Sequence, residues 1–406
     1  MSKISRHGTS RFEKLPAILG GEPAFKNILP ITAPTIPPIG ILKKKYEKVL
    51  RSGMITNSLC VQEFEKRVSE YIGVKNAIAV SSCTSGLMLI IKALKLKGEV
   101  VLPSFTFHAT AHAVVWNGLK PRFVDCDPET YNIDPKKVES AIGPNTCAIL
   151  GVHIFGNPAD VEELEKIAKK YKIILIFDSA HGFGSKYQGV HVGRFGAAES
   201  FSLSPTKLVT AGEGGVVTTN NDELAARIKA GRNYGDAGDY NPEFSGLNAR
   251  MSEFNALLGI ESLKMLNRNV KKRTEMVQLY KKYLSELPGI SFQKIKSGNQ
   301  SSYKDFSILI DEKKFGLTRD QLYKALIAEN IVVKKYFYPP VHQQKAFREF
   351  FDDNEQLEIT EEISKNILSL PLFSHISKDA IKNICLAIKN IYLHNKEIAS
   401  KLKCDL

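Results

Sequence analysis

The feature that most constrains this chain is a set of uninterrupted apolar runs separated by helix-period segments. AIAVSS (77–82), VVLPSF (100–105), RFVDCD (122–127), CAILGVHIFG (147–156), IILIFDSA (173–180), ESFSLS (199–204) and GGVVTTNN (214–221) read as strands. Most are apolar at consecutive rather than alternate positions. Such strands need cover on both faces, which argues for a largely parallel sheet between helical layers. The intervening segments supply that cover. CVQEFEKRVSEYIG (60–73) gathers Val61, Phe64, Val68 and Tyr71–Ile72 on one face. GLMLIIKALKL (86–96), TFHATAHAVVWNG (106–118) and ADVEELEKIAKKYK (159–172) also read as helices. IDPKKVESAI (133–142) has Asp134 at the N-cap and Pro135 at the first helical position.

A length of 406 residues exceeds one small core. Residues 1–40, rich in Pro and Gly and ending in ITAPTIPPIG, are predicted to form an irregular arm on the body. Residues 41–265 carry the strand–helix alternation. Beyond about residue 255 the pattern changes to one long amphipathic helix, LGIESLKMLNRNVKKRTEMVQLYKKYLSEL (258–287). A smaller set follows: FSILIDE (306–312), RDQLYKALIAEN (319–330), IVVKKYFYPP (331–340) and a final helix near 379–398. This predicts a small α+β C-terminal domain over 266–406.

The net charge of +13 admits nucleic acid, an anionic membrane surface or a phosphorylated substrate as partner. Lys43-Lys44-Lys45 and Lys271-Lys272-Arg273 lie in helix-like segments and read as solvated faces. No basic stripe interleaved with aromatics occurs, so nucleic acid is not expected. The six cysteines include no CxxC pair and match no zinc or iron–sulfur spacing, as in a reduced protein with free thiols. MSKISRHGTSRFEK has no apolar centre, and the longest apolar runs, such as IILIF (173–177), have strand length. A cytoplasmic chain without membrane insertion is expected.

In a parallel sheet, ligands bind at the carboxyl ends of strands. SSCTSG (81–86) follows a strand and opens a helix, so Thr84 and Ser85 offer amides and hydroxyls to an anion, although serine and threonine also cap helices generally. Asp178 closes an apolar strand, where an acid is costly without a partner. Ser202 and Lys207 follow another strand and precede a GEGG turn that admits close backbone approach. A lysine so placed can form a Schiff base with an aldehyde cofactor. A phosphate cradle, a buried acid for a pyridine nitrogen and a lysine for an aldehyde are what pyridoxal phosphate requires.

These motifs, in this order, resemble the DegT/DnrJ/EryC1/StrS family of sugar aminotransferases. The resemblance covers roughly residues 35–375. It runs from SGMITNSLCVQEFEKRVSEYIGVKNAIAVSSCTSGL through FDSAHGFGSKYQGVHVGRFG and SFSLSPTKLVTAGEGGVVTTN to GLNARMSEFNALLG, YFYPPVH and SLPLF. It implies fold type I of pyridoxal-phosphate enzymes. Lys207 would hold the cofactor and shuttle the proton, and Asp178 would face the ring nitrogen. Phe107 would stack on the ring, and His181 would lie near its hydroxyl. Thr84, Ser85 and Ser202 would bind the phosphate. Asn248 and Arg250 would complete the site across a homodimer. L-glutamate would donate the amino group to a nucleotide-linked keto-sugar, with Tyr338 and His342 bordering the substrate. Cys83 stands where many relatives carry Gly or Ala, and the TNSLCVQ loop replaces a commoner Gly-Pro type.

Rival readings are weaker. HGFG (181–184) lacks the third glycine of a dinucleotide fingerprint. His108 and His112 have a metal-ligand spacing without the zincin glutamate, and fit packing or capping better. Trp116 reads as core. Within the family, Lys207 argues against the dehydratases, whose lysine is replaced. A regulator or scaffold that binds pyridoxal phosphate without turnover would not need the full set of catalytic positions.

Overall fold

The computed structural model describes residues 14–352 and 356–404. The first thirteen residues of the expected arm lie outside them. Nine strands precede residue 220: β1 (Asn76–Val80), β2 (Glu99–Pro103), β3 (Lys120–Val124), β4 (Thr146–Val152), β5 (Ile174–Asp178), β6 (Lys186–Tyr187), β7 (Val190–His191), β8 (Ala198–Ser202) and β9 (Gly215–Thr219). Seven of them form a sheet ordered β1-β9-β8-β5-β4-β2-β3, and β6 and β7 make a separate hairpin. The pairs within β3-β2-β4-β5-β8 are parallel, whereas β9 runs antiparallel to both its neighbours. The sheet is thus mostly parallel, with one reversed strand. Ser202 faces Gly215 in the β8–β9 register, so the connection bearing Lys207 leaves and re-enters at one end of the sheet. The carboxyl end of β5, Asp178, lies at that same end.

Among the described residues nine α-helices accompany this part: α1 (Ile39–Ser52), α2 (Leu59–Ile72), α3 (Cys83–Ala93), α4 (Ala109–Trp116), α5 (Pro135–Ala141), α6 (Val161–Tyr171), α7 (Asp222–Gly231), α8 (Glu253–Leu263) and α9 (Leu266–Leu284). The continuous apolar strands feed cores on both faces. Ile78, Val80, Ile176 and Val217 join Leu87, Ile90, Val114 and Ile228 on one face. Ala77, Ala79, Phe201 and Val216 meet Val61, Phe64, Val68 and Ile260 on the other, while Leu175 and Phe177 pack with Leu164 and Val138. Each fully buried Ile, Leu or Phe contributes about 1.5–3 kcal/mol.

The C-terminal part holds an antiparallel sheet of β10 (Ile290–Phe292), β11 (Phe306–Ile310) and β12 (Ile367–Leu370). With it go α10 (Glu312–Phe315), α11 (Arg319–Ala328), α12 (Glu358–Asn366), α13 (Lys378–Leu393) and α14 (Asn395–Cys404). Its core joins Ile308 and Leu368 to Leu322, Leu326, Ile384 and Ile388. The arm is tied to this part. Glu329 accepts hydrogen bonds from the amides of Ala17 (2.8 Å) and Ala24 (2.7 Å), and Leu29 bridges Ile331.

Three segments gain detail in the structure. The long helix is two helices. Met265 N–H donates to Ser262 at 3.0 Å, a tightened turn, and the Ser262 hydroxyl accepts from the Thr210 amide at 3.0 Å. The segment IVVKKYFYPP, for which the sequence predicts no element type, makes only isolated bridges at Ile331 and Lys334, and the third strand is formed by Ile367–Leu370. The final helix is interrupted at His394.

Candidate active site

Three chain segments converge at the carboxyl ends of β5 and β8. The first is the N-terminus of α3. Ser82 and Ser85 form a reciprocal capping box, each amide donating to the other's hydroxyl at 3.0 Å. Cys83 and Thr84 are the first two helical residues, whose amides have no acceptor within the helix. Glycine brings this terminus close to the sheet. A Cβ on Gly86 would stand 2.4 Å from Ser200 Oγ, and one on Gly215 would stand 2.4 Å from the Ser82 carbonyl carbon.

Asp178, 5% exposed, ends β5. Its Oδ2 accepts from the Thr110 hydroxyl at 2.7 Å and its Oδ1 from the Ala180 amide at 3.0 Å. The Cys83 thiol lies 3.7 Å from Oδ1 and 3.2 Å from the Ser200 carbonyl. A carboxylate offers about four acceptor positions, so Asp178 keeps capacity for a ligand.

The third segment is the loop between β8 and β9, with Ser202, Ser204 and Lys207. The Ser204 amide donates to Ser202 Oγ at 3.4 Å. Among the described residues the Lys207 amine has no hydrogen-bond or ion-pair partner. Burial, reinforced by the charge of Lys304, lowers its pKa from 10.5 to about 8.

All three segments open on one cavity of about 330 Å³. Thr84, Phe107, Asp178, His181, Ser202 and Lys207 line it. Phe107 is half exposed, its ring 6.2 Å from that of Phe337. His181 accepts the Phe155 amide at Nδ1 (3.1 Å), which leaves the Nε2 proton for a ligand. Burial and the amines of Lys207 and Lys304 hold this imidazole well below its usual range. A groove of about 890 Å³ runs along α9 between Tyr71 and Lys378, but it contains no comparable convergence of acid, lysine and helix terminus.

Five predicted residues do not line the cavity. Ser85 spends its amide and hydroxyl in the cap, the hydroxyl donating to the Ser82 carbonyl at 2.8 Å. Asn248 is exposed and bridges Asn233. Arg250 donates to Asn233 Oδ1 at 2.5 Å and stacks over Tyr234. Tyr338 is exposed beneath the Arg319 guanidinium. His342 is buried between Ser104 (2.6 Å) and Glu361 (3.2 Å). Trp116, expected in the core, is 76% exposed because α4 turns it outward at its last residue. His108 and His112 pack edge-to-face, 5.5 Å between rings.

Sequence reasoning missed several cavity residues. Lys304, Asp305, Tyr336 and Phe337 come from the C-terminal part, and Thr110 supports Asp178 from α4. A charged pair directly before the apolar run FSILI was the available signal for Lys304 and Asp305. The donor set fits pyridoxal phosphate: unpaired helix-terminal amides and hydroxyls at one end, a carboxylate with spare acceptor capacity, and a lysine free of partners.

Residues 41–389 match the DegT/DnrJ/EryC1/StrS aminotransferase family. The chain is 33% identical to the dTDP-4-amino-4,6-dideoxy-D-glucose transaminase of Escherichia coli, covering 88% of this chain and 96% of that protein. It is 32% identical to the spore coat polysaccharide biosynthesis protein SpsC of Bacillus subtilis, covering 88% and 96%. The solved structure of DesI in the presence of its TDP-sugar product superposes with a TM-score of 0.90 at 34% identity, covering 95% of this chain and 98% of that one.

Proposed function

The chain belongs to the DegT/DnrJ/EryC1/StrS aminotransferase family, and from that premise we propose that it moves the amino group of L-glutamate to a keto carbon of a nucleotide-linked sugar. It is a pyridoxal-phosphate-dependent sugar aminotransferase. When bound, pyridoxal phosphate supplies the aldehyde that takes the amino group and a ring that stabilises charge at the carbon losing its proton. The convergence of Lys207, Asp178 and the α3 terminus on one cavity carries the reading.

In this reading the amides of Cys83 and Thr84, with Ser202, hold the phosphate at the α3 terminus. Asp178, oriented by Thr110 and Ala180, would pair with the ring nitrogen. Phe107 would cover one ring face, and His181 would donate from Nε2. Lys207 would hold the cofactor and carry the proton at Nζ, accepting it from the donor's α-carbon and giving it to the carbon that receives the amino group. A pKa of about 8 leaves a usable neutral fraction of that amine near neutral pH.

Asn248, which is exposed, and the partly buried Arg250 would complete the site of a second copy, so the working unit is a homodimer. The proposed domain boundaries are 40/41 and 265/266, with the first turns of α9 (Leu266, Val270) still packed on the large part. Among the described residues no helix is long and apolar enough to cross a membrane, and the cytoplasm is the compartment proposed for the enzyme.

The test is turnover of the holoprotein with L-glutamate and dTDP-linked keto-hexoses, with UDP- and GDP-linked ones alongside. Formation of 2-oxoglutarate together with an aminated sugar, read by mass spectrometry, is expected. Absence of both products across the panel would overturn the reading. Turnover with a different amino acid would replace the donor alone.

A further inference from the structure

Two lysines open on the same buried cavity, and amino transfer requires the amine of only one. Lys304 stands in the turn before β11, 6% exposed, its Nζ 2.8 and 3.1 Å from the two carboxylate oxygens of Asp305. The ammonium also lies 5.7 Å over the Tyr336 ring. Its backbone is pinned at both ends. The amide donates to the Phe155 carbonyl at 3.0 Å, and the carbonyl accepts from the buried Arg273 guanidinium at 2.7 Å. Removing a lysine and an aspartate from water costs several kcal/mol per ion before their attraction is counted. This pair caps no helix and lies outside the strand ladders. What it does is line the cavity beside Lys207.

We propose that the Lys304–Asp305 ion pair is a positioning device for the reacting amine: Lys304 sets a second positive charge against Lys207 that disfavours its protonated form, and Asp305 fixes Lys304 while limiting its field. The inference rests on Lys207 being the reacting amine, as proposed above. The groups facing Lys207 are Cys83 from the start of α3, Asp178 from the end of β5 and His181 just beyond it. Glu213 comes from the turn before β9, Lys304 and Asp305 from the turn before β11, and Tyr336 from the segment after α11. Burial acts most strongly on Lys207, and Lys304 adds to it; Asp305, Cys83 and Asp178 oppose both. His181, held neutral, contributes no third cation.

This arrangement makes the two members of the pair act with opposite sign, which a purely structural role would not do. Lys304→Gln removes a repelling cation and strands a carboxylate, so Lys207 becomes harder to deprotonate. Asp305→Asn frees the Lys304 charge, so Lys207 becomes easier to deprotonate. The experiment measures the rate at which an amine-specific acylating reagent modifies Lys207 in the full-length chain stripped of cofactor. The modified peptide is quantified by mass spectrometry between pH 6 and pH 11. The midpoint is expected to rise by about one pH unit in Lys304→Gln and to fall by a similar amount in Asp305→Asn, the scale of a close charge partner. Lys304→Arg should restore the native midpoint. Circular dichroism checks each fold, and if Lys304→Gln is unfolded, the direction of the Asp305→Asn shift decides alone. Midpoints that stay fixed, or move the same way in both variants, would overturn the proposal. The assay uses neither cofactor nor sugar, so it can fail while the transaminase reading stands, and the converse also holds.

Discussion

Thr110→Val offers a sharp test of the site because it replaces one hydroxyl with a methyl group at nearly constant volume. The Thr110 hydroxyl donates to Asp178 Oδ2 at 2.7 Å, with Thr110 fully buried and Asp178 nearly so. A hydroxyl has one proton, so Thr106, whose oxygen lies 2.9 Å away, must donate to Thr110. The two threonines form a short relay ending on the carboxylate. A hydrogen bond to a charged group is worth about 1.5–3 kcal/mol. Asp178 keeps the Ala180 amide, so cofactor affinity should lose the lower part of that range. At about 1.4 kcal/mol per decade this is roughly a tenfold weaker dissociation constant, with about a hundredfold as the ceiling. The stranded Thr106 hydroxyl should cost about 1 kcal/mol of stability. Fluorescence titration of the cofactor-free chain with pyridoxal phosphate measures the first effect and thermal unfolding the second. Thr110→Ser should restore affinity. A Thr110→Val chain that binds the cofactor as tightly as the native one would refute the assignment of Asp178 to the ring nitrogen.

Lys207→Met should stabilise the cofactor-free chain. The folded state lowers this lysine from 10.5 to about 8, so the unfolded chain binds more protons between those values and stability rises with pH across them. The penalty, on the order of 3 kcal/mol, is fully present below pH 8, so the gain in Tm should be largest at pH 7 and vanish near pH 10.5. Glu253→Ala should loosen the segment before α2, because the carboxylate accepts the amides of Ser58 (2.8 Å), Cys60 (2.7 Å) and Val61 (3.1 Å). The expected cost is about 2–4 kcal/mol, with faster proteolysis around residues 54–60, and an unchanged cleavage rate would contradict it. Finally, Lys207→Ala and Arg250→Ala chains, each inactive alone, should regain activity when unfolded and refolded together; no recovery would place Arg250 in the site of its own chain.

The apolar strands were legible because burial on both faces writes hydrophobicity at consecutive positions, as in IILIF. The reversal of β9 was not, since GGVVTTNN carries the same signal in either direction. The cavity was half legible. Lys207, Asp178 and Thr84 follow strand runs, where topology alone predicts a site. Lys304 and Asp305 reach it from a turn more than ninety residues later, and only tertiary packing joins them. Ser85 illustrates a genuine degeneracy: a serine after a strand can serve an anion or the helix, and here its amide and hydroxyl are committed to the helix. In YFYPPVH the motif was visible but not its orientation. Tyr336 and Phe337 line the cavity, whereas Tyr338 turns to Arg319 and His342 to Ser104.

The broken helix has a consequence for how the chain melts. Leu266 and Val270, early in α9, are packed in the core of the large sheet, whereas Met276, Val277, Tyr280 and Leu284 belong to the core of the small one. Arg273, 2% exposed, lies between the two groups and bonds Ser374, Tyr303 and Lys304. One rigid rod is therefore structural property of both halves, and neither can lose order without withdrawing packing from the other. Calorimetry should record a single cooperative transition where two cores would suggest two. The wall of the cavity that carries Lys304 is hung from the middle of that rod, so local loosening of either half is felt at the site before the chain as a whole unfolds.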